Sequence, residues 1–153
     1  MIVSLTDGSH PMRINRERLH GIFPFTYQLQ TRFSDLDKVG HVNNVSTAAI
    51  LQEGRNRFIH HLELTKLGPV NLVVGSLSIE FAGDLFHPDP IDVSVGLLEI
   101  GRSSFRFGQI ACQNGKIAAY AEVVQVARDE KGSIPLNEAW RPLFERAMIV
   151  PRQ

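Results

Sequence analysis

The sequence predicts an α+β domain in which an antiparallel sheet of about five strands wraps around one long central helix. Three observations carry that expectation. One stretch, residues 44–62, repeats apolar side chains near a 3.6-residue spacing. The chain alternates with a period of two once before that stretch and four times after it. The length, 153 residues, suits one domain, so a single apolar helix face has to be covered by a single sheet.

Residues 26–33, TYQLQTRF, read as the first strand, with Tyr27, Leu29 and Thr31 alternating against Gln28, Gln30 and Arg32. In the helix, Val45, Ala48, Ala49, Leu51, Phe58, Ile59 and Leu62 form the apolar face, and Arg55, Asn56, His60 and His61 are expected outward or toward a partner. Asn43 or Asn44 suits the N-cap, because an Asn oxygen accepts an orphan first-turn N–H. Gly54 weakens the helix middle and marks close packing on a sheet. Leu67-Gly68-Pro69 ends the element.

Four further strands are expected as a meander. Residues 70–81 put Leu77, Ile79 and Phe81 on one face and Ser78 and Glu80 on the other. The loop AGDLFHPDP is too rich in proline to carry a ladder. Residues 91–100 alternate Ile91, Val93, Val95 and Leu97 with Asp92, Ser94 and Gly96. Residues 103–112 present Phe105 and Phe107 as core, and Asn114-Gly115 suits a type I′ hairpin before the strand 117–127. The tail holds a short helix that Pro142 breaks or restarts. These readings divide the chain into an arm (1–25), a domain (26–135) and a tail (136–153).

Composition narrows the function. Lys plus Arg and Asp plus Glu are both 16, so no net field gathers nucleic acid or anionic lipid. Cys112 is the only cysteine, which excludes a disulfide framework and a cysteine zinc cluster. No cofactor or metal is called for, since His87 and the pair His60-His61 lack ligand spacing. The N-terminus has no apolar core for a signal peptide, and no run approaches membrane-spanning length, so a cytoplasmic location is expected.

The densest polar chemistry is SDLDKVGHVNNVS, residues 34–46. Two acids, a histidine and two asparagines directly precede the helix, whose N-terminus offers unsatisfied N–H groups and a partial positive charge. Such a placement brings a carboxylate beside an oxyanion site. The same residues also suit a plain turn, since Asp in D-K-V-G is common there.

That element order, together with D-x-D-x-x-G-H-V-N-N, resembles the hot-dog-fold thioesterases, in particular the 4-hydroxybenzoyl-CoA thioesterase-like family, and more distantly the plant acyl-ACP thioesterases. The resemblance runs from about Thr26 to about Pro135. It rests on RFSDLD at 32–37, GHVNN at 40–44, Arg55, Ile79-Glu80-Phe81 and Gly101-Arg102-Ser103-Ser104-Phe105. The family's helix aromatic is replaced by Thr47 and its frequent acid by Gln52. The plant enzymes have an Asn where this chain has Val39, and their helix acid aligns with Glu53.

The resemblance implies a thioesterase acting on acyl-CoA or acyl-carrier protein, with Asp37 as base or nucleophile. It makes His41 a group that polarises the carbonyl, shuttles a proton or fixes the loop. Gly40 lets the backbone approach the ligand or take positive φ. Asn43 and Asn44 are first of all caps, one of which orients water or Asp37. Glu53, about 13–15 Å along the helix from Asn44, acts only across a dimer or further down the acyl channel. Near the substrate groove the family places the positions of Val42, Phe81, Arg102, Ser103 and Ser104; Asp35 reads as structural. Two other functions stay open, an enoyl-thioester hydratase and a non-catalytic acyl-thioester binder. An open sheet edge predicts a homodimer or a dimer of dimers.

Overall fold

The computed structural model describes residues 13–153, so the first twelve residues of the arm lie outside the described residues. Strand β1 spans Phe25–Leu29, helix α1 Asn44–His61, β2 Leu72–Phe81, β3 Ile91–Ile100, β4 Ser104–Gln113, β5 Lys116–Asp129, the short β6 Gly132–Ser133, and helix α2 Arg141–Arg146. The alternating stretches after α1 became strands, whereas the first, expected over 26–33, stops at Leu29 because the chain leaves the sheet for the 3-10 turn Phe33–Asp35; Asn114 and Gly115 turn the β4–β5 hairpin with φ of 51° and 78°. No helix among the described residues is long and apolar enough to cross a membrane.

The sheet is antiparallel and runs β1-β3-β4-β5-β2, with β6 beside β5. The expected four-strand meander is therefore only partly present. β3, β4 and β5 form it, whereas β2 crosses to the far edge and pairs with β5. Being an edge strand, β2 leaves Leu77 and Phe81 about half exposed despite their apolar face.

Helix α1 lies on β1, β3 and β4, and the core forms between them: Leu51 and Phe58 from the helix, Val93, Val95 and Leu97 from β3, Phe105 and Phe107 from β4. Gly54 sets the contact, since a Cβ there would come within 2.5 Å of Val93 Cγ1. The buried helix face is Thr47, Ile50, Leu51, Gly54, Arg55 and Phe58. This differs from the expected stripe at three positions. Val45 and Ala49 are exposed, and Arg55, expected outward, is 3% exposed. Arg55 lies four residues after Leu51 and three before Phe58, so helical spacing puts it on the buried face.

The other sheet face is covered by the two ends of the described chain. Leu19, in the 3-10 turn Arg16–Leu19, packs with Ile14, Tyr120 and Ile149, and Gly108 leaves room for it. Ile22 bridges Val150, and Arg16 pairs with Glu80 while lying over the Tyr120 ring. The tail starts with a 3-10 turn, Glu138–Trp140, and Pro142 falls in the first turn of α2, where a missing N–H is tolerated. Phe144 of α2 is fully buried against Phe105.

Candidate active site

After β1 the chain leaves the sheet at a short 3-10 turn, Phe33–Asp35. Asp35 makes that turn: its carboxylate accepts the Arg32 backbone N–H at 2.8 Å and the Arg32 guanidinium at 3.1 Å. Burial alone would raise the Asp35 pKa. The hydrogen bonds from Arg32, its charge and a bond from Ser46 outweigh burial and hold the carboxyl below its ordinary range.

Residues 35–43 then form a tight hairpin. Leu36 bridges Val42, the Asp37 N–H reaches the His41 carbonyl at 2.7 Å, and the Asn43 N–H reaches the Asp35 carbonyl at 2.8 Å. Gly40 sits at the tip with φ of 86°, a conformation that favours glycine. Within this hairpin Asp37 Oδ1 accepts two backbone N–H groups, from Val39 at 2.9 Å and His41 at 3.0 Å. Asp37 Oδ2 takes part in no hydrogen bond among the described residues, and the side chain is exposed. One oxygen is thus anchored and the other is open.

Asn43 is the N-cap of α1. Its Oδ1 accepts the Ser46 N–H at 2.8 Å, and its Nδ2 donates to the Asp35 carbonyl at 2.9 Å. Thr47 N–H bonds the Asn43 carbonyl, as does the Thr47 hydroxyl, so the site of the family's aromatic holds a second cap contact. The N–H groups of Asn44 and Val45 remain as the first-turn donors with no helical acceptor. Asn44 itself is exposed. Asp37 stands opposite His41, two positions from the cap, which is about 7 Å along the hairpin.

A second loop braces the first. The Val42 N–H donates to the Leu85 carbonyl, His41 Nδ1 lies 3.4 Å from Asp84 Oδ1, and the His41 ring meets Phe86 edge-on at 5.0 Å. Buried Gln113 holds both the N–H and the carbonyl of Phe86. Sequence reasoning missed Asp84 and Gln113; the only signal was the proline-rich character of the 82–90 loop. Around the hairpin, Phe33 and Val45 are each 80% exposed and Val39 is 74% exposed. Apolar side chains in that position suit a surface that something covers.

The remaining expected residues fall elsewhere. Glu53 is half-buried in a cleft of about 350 Å³ beside β1, with Asp35, Arg32 and Ile50, and is bonded to Arg57 at 2.6 Å. It does not meet Asp37 within the chain. Phe81 ends β2, just before the 84–86 brace. Arg102 and Ser103 lie in the β3–β4 turn and Ser104 starts β4, where it registers through Val126 with Val73, near the start of β2. That is about 25 Å from Phe81 along the strand. No group of three or more His, Cys, Asp and Glu residues suited to a metal occurs among the described residues.

Several solved structures are similar to the chain. A predicted thioesterase from Bacillus stearothermophilus superposes with a TM-score of 0.76 at 23% identity, covering 84% of this chain and 98% of that one. A thioesterase from Thermus thermophilus, solved with coenzyme A and zinc, matches at 30% identity and a TM-score of 0.71, covering 82% of this chain and 92% of its own. A 1,4-dihydroxy-2-naphthoyl-CoA thioesterase from Synechocystis shares the fold at 20% identity and a TM-score of 0.68, over 78% and 94% of the two chains. No curated protein matches the chain significantly. The family model of the thioesterase-like superfamily matches residues 31–147, from the end of the first strand through the tail helix, and with it the hot-dog arrangement of sheet and helix: the chain belongs to the thioesterase-like superfamily.

Proposed function

We propose that this protein hydrolyses acyl-thioesters, of coenzyme A or of an acyl-carrier protein, to a carboxylic acid and a free thiol. The observation that carries the reading is the anchored Asp37 carboxylate, open at Oδ2, in the hairpin that runs directly into the α1 N-terminus. Asp37 acts as base or nucleophile. As base it takes a proton from water while the hydroxide adds to the thioester carbonyl carbon. As nucleophile its oxygen forms a mixed anhydride that water then cleaves. In both cases the carbon–sulfur bond breaks and the thiolate leaves and is protonated.

The developing oxyanion meets the Asn44 and Val45 N–H groups and the positive end of α1. Gly40, which has no side chain at the hairpin tip, leaves the approach open, and Val42 backs it from the core. His41, which lies beside Asp84, polarises the carbonyl or returns a proton to the leaving sulfur. Asn43 supports the reaction by fixing the helix start. No cofactor is needed, because water is the second substrate.

The working unit is a homodimer, or a dimer of dimers, joined along the outer edges of β2, which pair with no other strand among the described residues. Antiparallel pairing of two such edges brings the start of one β2 beside the end of the other. The Arg102-Ser103-Ser104 turn of a second copy then approaches Phe81 and the Asp37 hairpin, closing the groove for the acyl chain and the thiol arm. Glu53 lies outside this groove, on the β1 side of the helix. The deciding experiment is thiol release from a panel of acyl-CoA and acyl-carrier-protein thioesters by the wild type and Asp37→Asn. Loss in the variant supports the reading. Undiminished hydrolysis removes Asp37 from it, and hydration of crotonyl-CoA without thiol release replaces it by a hydratase.

A further inference from the structure

Arg55 is a buried cation that no carboxylate among the described residues neutralises. It is 3% exposed, and its one hydrogen bond among the described residues goes to a neutral group, Gln109 Oε1 at 2.9 Å. Burial pushes the guanidinium pKa down, and no carboxylate among the described residues offsets it. A buried guanidinium has five donors and a large desolvation cost, so a site that holds one with a single neutral partner is built for a further acceptor.

Gln109 fixes the position of the charge. While its Oε1 holds Arg55, its Nε2 donates to the Leu51 carbonyl at 2.8 Å, so one side-chain amide ties the guanidinium to the helix turn that holds Leu51. Leu51 is seven residues beyond Asn44, about 10 Å along the helix from the first-turn N–H groups. Gln109 faces α1, and paired residues share a face, so its neighbours in register, Ala121 and then Ile79, continue that inner surface to the β2 edge. Leu77 and Phe81 flank Ile79 on the same face and are half exposed. From the edge inward this sheet face is therefore apolar, continues under the buried side chain of Ala121 and ends at Gln109 and the buried Arg55 guanidinium.

We propose that Arg55 is a specificity-determining residue that binds an oxygen, most strongly a carboxylate, carried by the acyl group about 10 Å from the thioester carbonyl. Three bonds of extended chain span about 3.5 Å, so the spacing corresponds to roughly eight or nine bonds. A carboxylate neutralises the buried charge and accepts the fork in bidentate fashion; a hydroxyl takes one bond without neutralising it. The proposal rests on the thioesterase reading for where the carbonyl sits.

The test compares octanoyl-CoA, omega-hydroxyoctanoyl-CoA and suberoyl-CoA, which are matched in length and differ at the far end. The wild type is expected to favour suberoyl-CoA over octanoyl-CoA roughly ten- to hundred-fold in kcat/KM, with the hydroxy compound between. In Arg55→Met the ratio is expected to collapse to near one or invert, and Arg55→Lys to keep part of it. Equal use of the three by the wild type, or a ratio unchanged in Arg55→Met, overturns the proposal. If Arg55→Met does not fold, the wild-type ratio and Arg55→Lys decide. Stabilisation against heat by suberoyl-CoA over octanoyl-CoA gives a reading that does not depend on turnover. Thiol release without a preference defeats this inference alone, and absence of thiol release from every thioester defeats the thioesterase reading, leaving the heat comparison to judge Arg55.

Discussion

Asp37 and His41 hold each other twice. The Asp37 N–H donates to the His41 carbonyl at 2.7 Å, and the His41 N–H donates back to Asp37 Oδ1 at 3.0 Å. The acid is thus fixed by its own loop before any substrate arrives, and only Oδ2 remains to act.

Exchanging that carboxylate for an amide separates chemistry from loop structure. Asn at position 37 keeps an Oδ1 that accepts both N–H groups but loses the base. Asp37→Asn is expected to lower kcat 10²–10⁴-fold, about the range of a lost general base, with little change in melting temperature. Asp37→Ala loses the loop bonds as well and is expected to melt a few degrees lower. Kinetics and calorimetry on both variants check this; a large fall in melting temperature for Asp37→Asn would mean that its effect on rate is structural.

Gly54→Ala sets two effects against each other. Helix propensity alone favours Ala by about 1 kcal/mol. The new Cβ would meet Val93 Cγ1 at 2.5 Å, and overpacking of a tight core contact costs about 1–3 kcal/mol. Packing is expected to win, lowering the melting temperature by several degrees. A melting temperature at or above that of the wild type would show that α1 lifts off β3 without penalty.

Much of this fold was legible because its signals are local. The alternation in 91–100 and the Asn114-Gly115 turn are written in adjacent residues, and each element formed where expected. Gly54 was legible too, since a glycine inside a helix needs a packing reason. The crossing of β2 to the far edge was not, because nothing in residues 72–81 names β5 as neighbour over the next strand in sequence. Arg55 was misread for a related reason: its partner Gln109 lies 54 residues away, and an arginine among polar neighbours looks like a solvated face. At the site, the hairpin chemistry could be read as a string, whereas the brace comes from Asp84 in the 82–90 loop and Gln113 at the end of β4, whose contacts are long-range.

Asn43 binds the hairpin to the helix through both ends of its amide. Asn43→Ala loses the cap, for which about 1 kcal/mol is typical, together with the bond to the Asp35 carbonyl. Asn43→Ser restores the cap but not that second bond. The order of melting temperatures is therefore expected to be wild type, then Ser, then Ala, with hydrolysis falling in the same order because the helix mouth loosens. Equal melting temperatures for Ala and Ser would show that the cap contributes little.

The β2 edge carries the dimer proposal. Leu77 is 46% exposed on an edge strand whose outer side pairs with no other strand among the described residues, facing the groove side of the sheet. Leu77→Glu places one charge from each copy into the apolar seam. Sedimentation is expected to show dimer for the wild type and mostly monomer for the variant, with thiol release reduced at least tenfold. A variant that stays dimeric with full activity would put the interface elsewhere.

Asp35 makes acid stability a test of the turn before the hairpin. Its folded pKa lies below the ordinary value of 3.8, because the bonds and charge of Arg32, with Ser46, overcome the burial that opposes them. The unfolded chain therefore binds the proton more readily, and stability rises with pH across the interval between the two values. The contribution is fully present above about pH 5 and is lost as pH falls below 3.8 toward the folded value. Asp35→Asn cannot titrate there, so its stability is expected to fall less steeply between about pH 5 and pH 2 while being lower than the wild type at neutral pH. Urea unfolding of both proteins at stepped pH measures the two slopes. Identical slopes would mean that Asp35 carries no more charge-dependent stability in the folded turn than in the open chain, and the account of why β1 ends where it does would lose its cause.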